Sequence, residues 1–236
     1  MDSRQNIKDM TPGRITEAIR EMGEQRHRAR QITQWLWQKG AASFDEMTSL
    51  SLDLRSRLSE RFRIPVMRVA GSVSSGSDGS QKFLLECEDG AVIETVLMEA
   101  RGVFTACISS QVGCPLACSF CRTGTGGLER DLTTGEILDQ VLLLRLGHVP
   151  PRRRLNIVFM GMGDPLLNTA NFFPALEILT HEDAFALREK RITVSTIGFP
   201  DRIGELAESG LRAGLAVSLN ATDDDTRKSL MPSASG

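Results

Sequence analysis

The chain has 236 residues, 41% hydrophobic and 25% charged, which excludes wholesale disorder and leaves room for one large domain or an ordinary domain with an appendage. No apolar run approaches the roughly 18 residues that cross a bilayer; Val141–Leu144 breaks at Arg145, and the charged start Met1-Asp2-Ser3-Arg4 lacks a secretory apolar core, so a cytoplasmic protein is expected. The net charge of −2 excludes a polycation, yet residues 1–70 carry 13 Lys/Arg against 9 Asp/Glu while residues 71–236 carry 15 against 21. A basic head on an acidic body points to nucleic-acid contact at the N-terminal end, the plain alternative being a solvated charged surface.

Residues 12–62 have helical spacing: Ile15, Ala18, Ile19 and Met22, then Ile32, Trp35 and Leu36, then Leu50, Leu54 and Leu58. Residues 1–64 are therefore expected to form a small helical domain. Within it Arg26, Arg28 and Arg30 lie near Trp35 and Trp37, a mixture suited to RNA phosphates, although tryptophans at helical spacing also suit a core. Residues 65–100 are expected to be a connector of two hairpins, signalled by Asp78-Gly79 and by Asp89-Gly90 between Lys82–Glu88 and Val92–Met98.

Beyond residue 100 strands and helices alternate: Val103–Ser109, Thr134–Leu146, Leu155–Met160, Asn171–Thr180, Arg191–Thr196, Asp201–Ser209, Arg212–Leu219 and Asp223–Leu230. Four strand–helix pairs predict an α/β fold with a parallel sheet over residues 101–236. The cysteine cluster and Gly161-Met162-Gly163-Asp164 follow two of these strands, and Ser195-Thr196 and Ser218-Leu219-Asn220 close the other two. That is the edge where such sheets bind ligands.

Five cysteines without a secretory context argue against a disulfide framework, and three of them crowd into Cys114-Pro-Leu-Ala-Cys118-Ser-Phe-Cys121. Three thiolates on one loop suit three irons of a [4Fe–4S] cubane and leave the fourth iron open to a small molecule. Structural zinc needs a fourth ligand, for which Cys107 is the available thiol.

The C-x3-C-x-aromatic-C pattern, with Phe120 as the aromatic, resembles the signature of radical S-adenosylmethionine enzymes. The longer stretch from Cys107 to Gly124, Ile93–Leu97 before it, Asn156 to Pro165, Ser195-Thr196 and Ser218–Ala221 are similar to the RlmN/Cfr family of adenosine methyltransferases. Arg28-Ala-Arg-Gln-Ile and Phe44-Asp-Glu-Met-Thr resemble that family's accessory domain. The resemblance implies a partial (β/α) barrel, about four of six units, and RlmN-type methylation of adenine C2 in 23S rRNA and tRNA. It implies that Cys114, Cys118 and Cys121 bind the cluster, and that Gly163, Asp164, Ser195, Ser218, Leu219 and Asn220 bind S-adenosylmethionine. Asp164 stands where the family has a longer glutamate. Glu94 takes the place of the proton acceptor, and Cys107 that of the thiol that resolves an enzyme–RNA crosslink through a disulfide. A flavodoxin or ferredoxin as electron donor, a monomer and no membrane association follow from the same likeness. Family members continue past Met231-Pro232 to a methyl-carrying cysteine, and no cysteine follows Cys121. The chain is thus expected to be a C-terminally truncated fragment. Two alternatives are a radical enzyme acting on a small molecule and a non-catalytic zinc-bound nucleic-acid-binding module.

Overall fold

Three helices fill the N-terminal part of the computed structural model, which describes residues 3–233. A short strand β1 (Gln5–Asn6) leads to α1 (Pro12–Glu21), α2 (Arg26–Trp37) and α3 (Leu52–Arg61). Thr11 caps α1 with proline in its first turn, and Ser51 caps α3, so each begins where its apolar stripe begins. Ile15, Ile19, Ile32, Leu36, Leu54 and Leu58 face inward and are almost fully buried. Trp37 belongs to the same core and lies 5.4 Å from the Phe185 ring; Trp35 keeps its indole N–H on Ser49 Oγ at 2.8 Å.

After β2 (Phe62–Arg63), which pairs with β1, the chain builds one seven-stranded sheet. Its strands are β3 (Arg68–Ser74), β4 (Gln81–Glu86), β5 (Val92–Ala100), β6 (Val103–Cys107), β9 (Arg154–Phe159), β10 (Ile192–Thr196) and β11 (Gly214–Val217). The spatial order is β11-β10-β9-β6-β5-β4-β3. From β6 to β11 the pairs are parallel, as the alternation predicts; β3 to β6 pair antiparallel. The stretch read as a hairpin connector therefore extends the main sheet. Two shorter strands, β7 (Gln111–Gly113) and β8 (Leu128–Asp131), pair with each other at the base of the cysteine loop. The remaining helices are α4 (Thr134–Gly147), α5 (Thr169–Thr180), α6 (Pro200–Glu208) and α7 (Asp224–Leu230).

Alternation along the strands sends Phe104, Ala106, Leu155, Ile157, Phe159, Ile192 and Val194 into the core. Buried Ile137, Leu138 and Val141 of α4 and Phe172, Leu176 and Leu179 of α5 belong to that core. The opposite face carries Glu94, Val96, Cys107, Val158 and Ser195. The head is fixed to α4 by buried polar contacts. Lys8 Nζ lies 2.7 Å from Asp139 Oδ1 and donates to the Pro65 carbonyl, while Asp9 accepts the Gly135 N–H at the start of α4. No helix among the described residues is long and apolar enough to cross a membrane.

Candidate metal and cofactor site

The cysteines sit on the loop between β7 and β8, so that two-stranded base decides where the thiols point. Cys114 N–H donates to the Gly127 carbonyl across the base at 2.8 Å. Gly113 has φ 81°, and a Cβ there would overlap that same carbonyl oxygen. Gly113→Ala is therefore expected to splay the base and lose most iron binding while the far-ultraviolet circular dichroism of the rest persists. Unchanged iron content would refute this role for the base.

Side chains of the loop's own base and of the turn before α5 clamp the loop ends. Asn168 Nδ2 donates to the carbonyls of Ser110 and Leu132, both at 2.8 Å, one on each side of the loop. Gln111 donates to Asp131 at 2.7 Å and accepts the Asp164 N–H at 3.1 Å. Arg130 bridges Asp89 and Glu136, tying β8 to the β4–β5 turn and to the capped start of α4. Met231 is fully buried with Cys114, Leu116 and Cys118, and Ser119 N–H donates to the Leu230 carbonyl at 2.8 Å.

Cys114, Cys118 and Cys121 line a cavity of about 320 Å³ together with Gly163, Asp164, Ser195, Ser218 and Asn220. Four strand ends thus meet at one site. Thr196, Phe120 and Met231 line it too. Leu219 does not; it is 58% exposed. Glu94 and Cys107 stand outside the cavity wall on the adjoining sheet face. Val96 pairs with Cys107, so Glu94, two residues from Val96, shares that face. Glu94 is half exposed and its carboxylate lies 2.9 Å from Lys82 Nζ.

Asp164 is 3% exposed and heavily used. Its carboxylate accepts from Thr196 Oγ1 at 2.8 Å, Ile197 N–H at 2.9 Å and Leu166 N–H at 3.0 Å. A carboxylate offers about four acceptor positions, so about one remains for a ligand. Burial pushes its pKa up, and the donors from Ile197, Thr196 and Leu166 pull it back. A glycine is required just before it. Gly163 has φ 88°, and a Cβ would come within 2.6 Å of Gln111.

Burial also pushes up the thiols of Cys114 and Cys118, which favours their neutral form until a metal displaces the proton. Among the described residues, the one trio of candidate ligand atoms all within 4.8 Å of one another is Cys87, Asp89 and Glu136. The three loop thiols are more widely spread. Arg130 already occupies the two carboxylates beside Cys87, whose thiol is pushed up to about 12 by burial first and Glu136 second. All five cysteines are free thiols; Cys107 is half-buried, and its pKa is raised by that burial.

Of the three arginines singled out in the head, Arg28 is turned onto Gln31 and the Ser49 carbonyl, and Arg30 pairs with Asp183 at 2.6 Å. Arg26 is exposed. Gln111, Asn168, Arg130 and Met231 have no role that the sequence pattern points to. The run Gly163-Asp164-Pro-Leu-Leu-Asn168 is the only signal that draws attention to one of them.

Residues 5–64 match the family described as the ribosomal RNA large subunit methyltransferase N-terminal domain, and residues 108–235 match the radical SAM superfamily. The "Probable dual-specificity RNA methyltransferase RlmN" of Pelodictyon phaeoclathratiforme is 48% identical over 99% of this chain and 67% of its own length. The "Dual-specificity RNA methyltransferase RlmN" of Nitratidesulfovibrio vulgaris is 49% identical over 91% of this chain and 61% of its own. The crystal structure of a radical SAM methyltransferase from Sphaerobacter thermophilus superimposes with a TM-score of 0.88 at 39% identity, covering 97% of this chain and 67% of that one. The chain spans about two thirds of the length of such relatives.

Proposed function

The chain belongs to the RlmN family of radical SAM methyltransferases, and on that premise we propose that it carries the cluster- and cofactor-binding part of an enzyme methylating adenine C2 in 23S rRNA and tRNA. The supporting observation is the meeting of Cys114, Cys118 and Cys121 with Gly163, Asp164, Ser195, Ser218 and Asn220 around one cavity. The cysteines hold a [4Fe–4S] cluster, and the strand ends hold S-adenosylmethionine. When bound, the two together supply a carbon radical, the chemistry that a non-nucleophilic ring carbon requires.

The protein's own groups position and protect. Asp164 keeps one acceptor position for the methionyl amino group, while its other bonds fix the ends of β9 and β10. Ser195, near the end of β10, and Ser218, just past the end of the neighbouring parallel β11, offer hydroxyls to the ribose and carboxylate side of the cofactor. Asn220 stands beside them; Leu219 contributes backbone only, since its side chain points outward. Glu94 accepts the proton released from the adenine, and Lys82 orients its carboxylate. Cys107 stays protonated at neutral pH through burial and serves as the resolving thiol. The head contributes RNA contact, a flavodoxin or ferredoxin donates electrons, and the protein works as a cytoplasmic monomer.

The test is spectroscopic. Reconstituted, reduced protein should show an electron paramagnetic resonance signal that shifts on adding S-adenosylmethionine, and Asp164→Ala should weaken that shift at equal iron content. A four-iron protein whose signal ignores the cofactor would overturn the assignment.

A further inference from the structure

The site lies at the carboxyl ends of the parallel strands, and the opposite edge of the same sheet has a different character. There the β5–β6 turn, the approach to β9, the turn before β10 and the approach to β11 bring together Arg101, Arg152, Arg153, Arg154, Arg191 and Arg212. The strands are neighbours in the order β11-β10-β9-β6-β5, and Val103 pairs with Arg154. Four strand spacings spread these guanidinium groups over about 19 Å. All but the half-buried Arg191 are exposed, and none of the six side chains forms a hydrogen bond or ion pair with another described residue. Glu99 and Glu189 are the carboxylates on the same turns. A segment of net negative charge has thus gathered unpaired cations along one edge.

Two of these arginines occupy unfavourable backbone positions. Arg101 has φ 52° and Gly102 φ 74° in a two-residue hairpin between paired Ala100 and Val103, a turn that favours asparagine or aspartate before glycine. Arg152 has φ 66° in a turn closed by Arg153 N–H on the Pro150 carbonyl, with Pro151 ahead of it. That is the turn position where glycine is preferred. Left-handed backbone at a residue with a Cβ costs on the order of 1 kcal/mol. No hydrogen bond or ion pair of either side chain with another described residue offsets it, so the side chains themselves are what these positions present.

We propose that this arginine ridge is a second RNA-contact surface, binding the sugar–phosphate backbone of a structured RNA away from the base that enters the site. Arginine forks suit phosphate oxygens. The turns carry no exposed large apolar side chain, whereas a protein partner needs an apolar core to its interface. An electron donor must also approach the cysteine loop, which lies beyond the length of β9, about 17–20 Å away. Naming RNA as the polyanion rests on the methyltransferase reading above; the ridge itself does not.

The test is fluorescence anisotropy of an unmodified tRNA transcript titrated with this chain across a salt series. The variant combines Arg101→Asn, Arg152→Gly, Arg153→Gln and Arg154→Gln. Affinity should fall at least about tenfold near 0.1 M salt, and the slope of log affinity against log salt should shrink by about 0.7–0.9 for each phosphate that the variant leaves unneutralised. The melting temperature should stay level or rise, because the first two changes suit the positive φ. The matched arginine-to-lysine variant should bind within a few-fold of wild type. Unchanged affinity and slope in the first variant, with wild type binding tRNA, would overturn the ridge alone. A wild-type chain that binds no RNA at any salt would overturn the RNA reading as well. Loss of binding to a flavodoxin with tRNA affinity intact would assign the ridge to a protein and likewise refute the proposal.

Discussion

Cys118→Ala is expected to leave the reconstituted protein with little or no iron, against about four irons per chain in the wild type. Cys118 is 8% exposed and lines the cavity with Cys114 and Cys121, and neither Cys87 nor Cys107 lines that cavity to replace it. Losing one of three thiolates leaves the cubane held at two corners, with a second iron open to solvent and chelators. Cys87→Ala is the control. Cys87 packs beside Glu136 and Arg130, outside the cavity, and its raised pKa keeps it a neutral core thiol. Iron content and visible absorption decide the matter: a full cluster in Cys118→Ala, or its loss in Cys87→Ala, would remove the ligand assignment.

Lys8→Met should destabilise the fold by about 3–5 kcal/mol, because it strands a charge in the core. Lys8 is 1% exposed and Asp139 4% exposed, and the pair joins the head to α4 at 2.7 Å. For a chain of this size the melting temperature should fall by roughly 6–20 °C. Burial pushes the Asp139 carboxyl up, and Lys8 is the main influence pulling it back. Without Lys8 the native state holds that proton more tightly than the unfolded chain does. The deficit should therefore be smallest below the ordinary carboxylate pKa and grow as pH rises through the native value. Adding Asp139→Leu should recover all but about 1–3 kcal/mol, the cost of leaving Met67 N–H without its 3.4 Å acceptor. A single variant as stable as wild type at neutral pH would show that the pair is not what secures the head.

The parts of this architecture visible in the sequence are those encoded by local pattern. Cysteine spacing marks the loop, and the alternation of apolar strands with capped helices places β6, β9, β10 and β11 to within about two residues. Hairpin signals find β4 and β5, but such signals say nothing of which sheet edge a hairpin joins. That is why a connector became three strands of the main sheet. β7 is three residues long, too short for any period to register. The clamps are illegible for another reason: Asn168 reaches back 58 residues to Ser110, and Gln111 meets the Asp164 N–H 53 residues away. A side-chain amide has no sequence pattern that announces a distant carbonyl. The arginine trio of the head shows the converse, since residue type alone does not distinguish a free cation from one already bonded.

The docking of Lys8 and Asp9 onto α4 also sets an order of assembly. The two members of the ion pair are 131 residues apart, so during synthesis Lys8 waits for 131 further residues before it meets its counter-ion. The helices of the head have local contacts and can form early, but the segment that fastens them cannot. Closing so long a loop is slow compared with helix formation. During synthesis the nascent chain therefore passes through a stage in which the head is structured while Lys8 and Asp9 still lack their partners on α4. The first half of α4, which follows the cysteine loop and β8, completes the attachment. Fastening of the head thus comes after the cysteines have emerged.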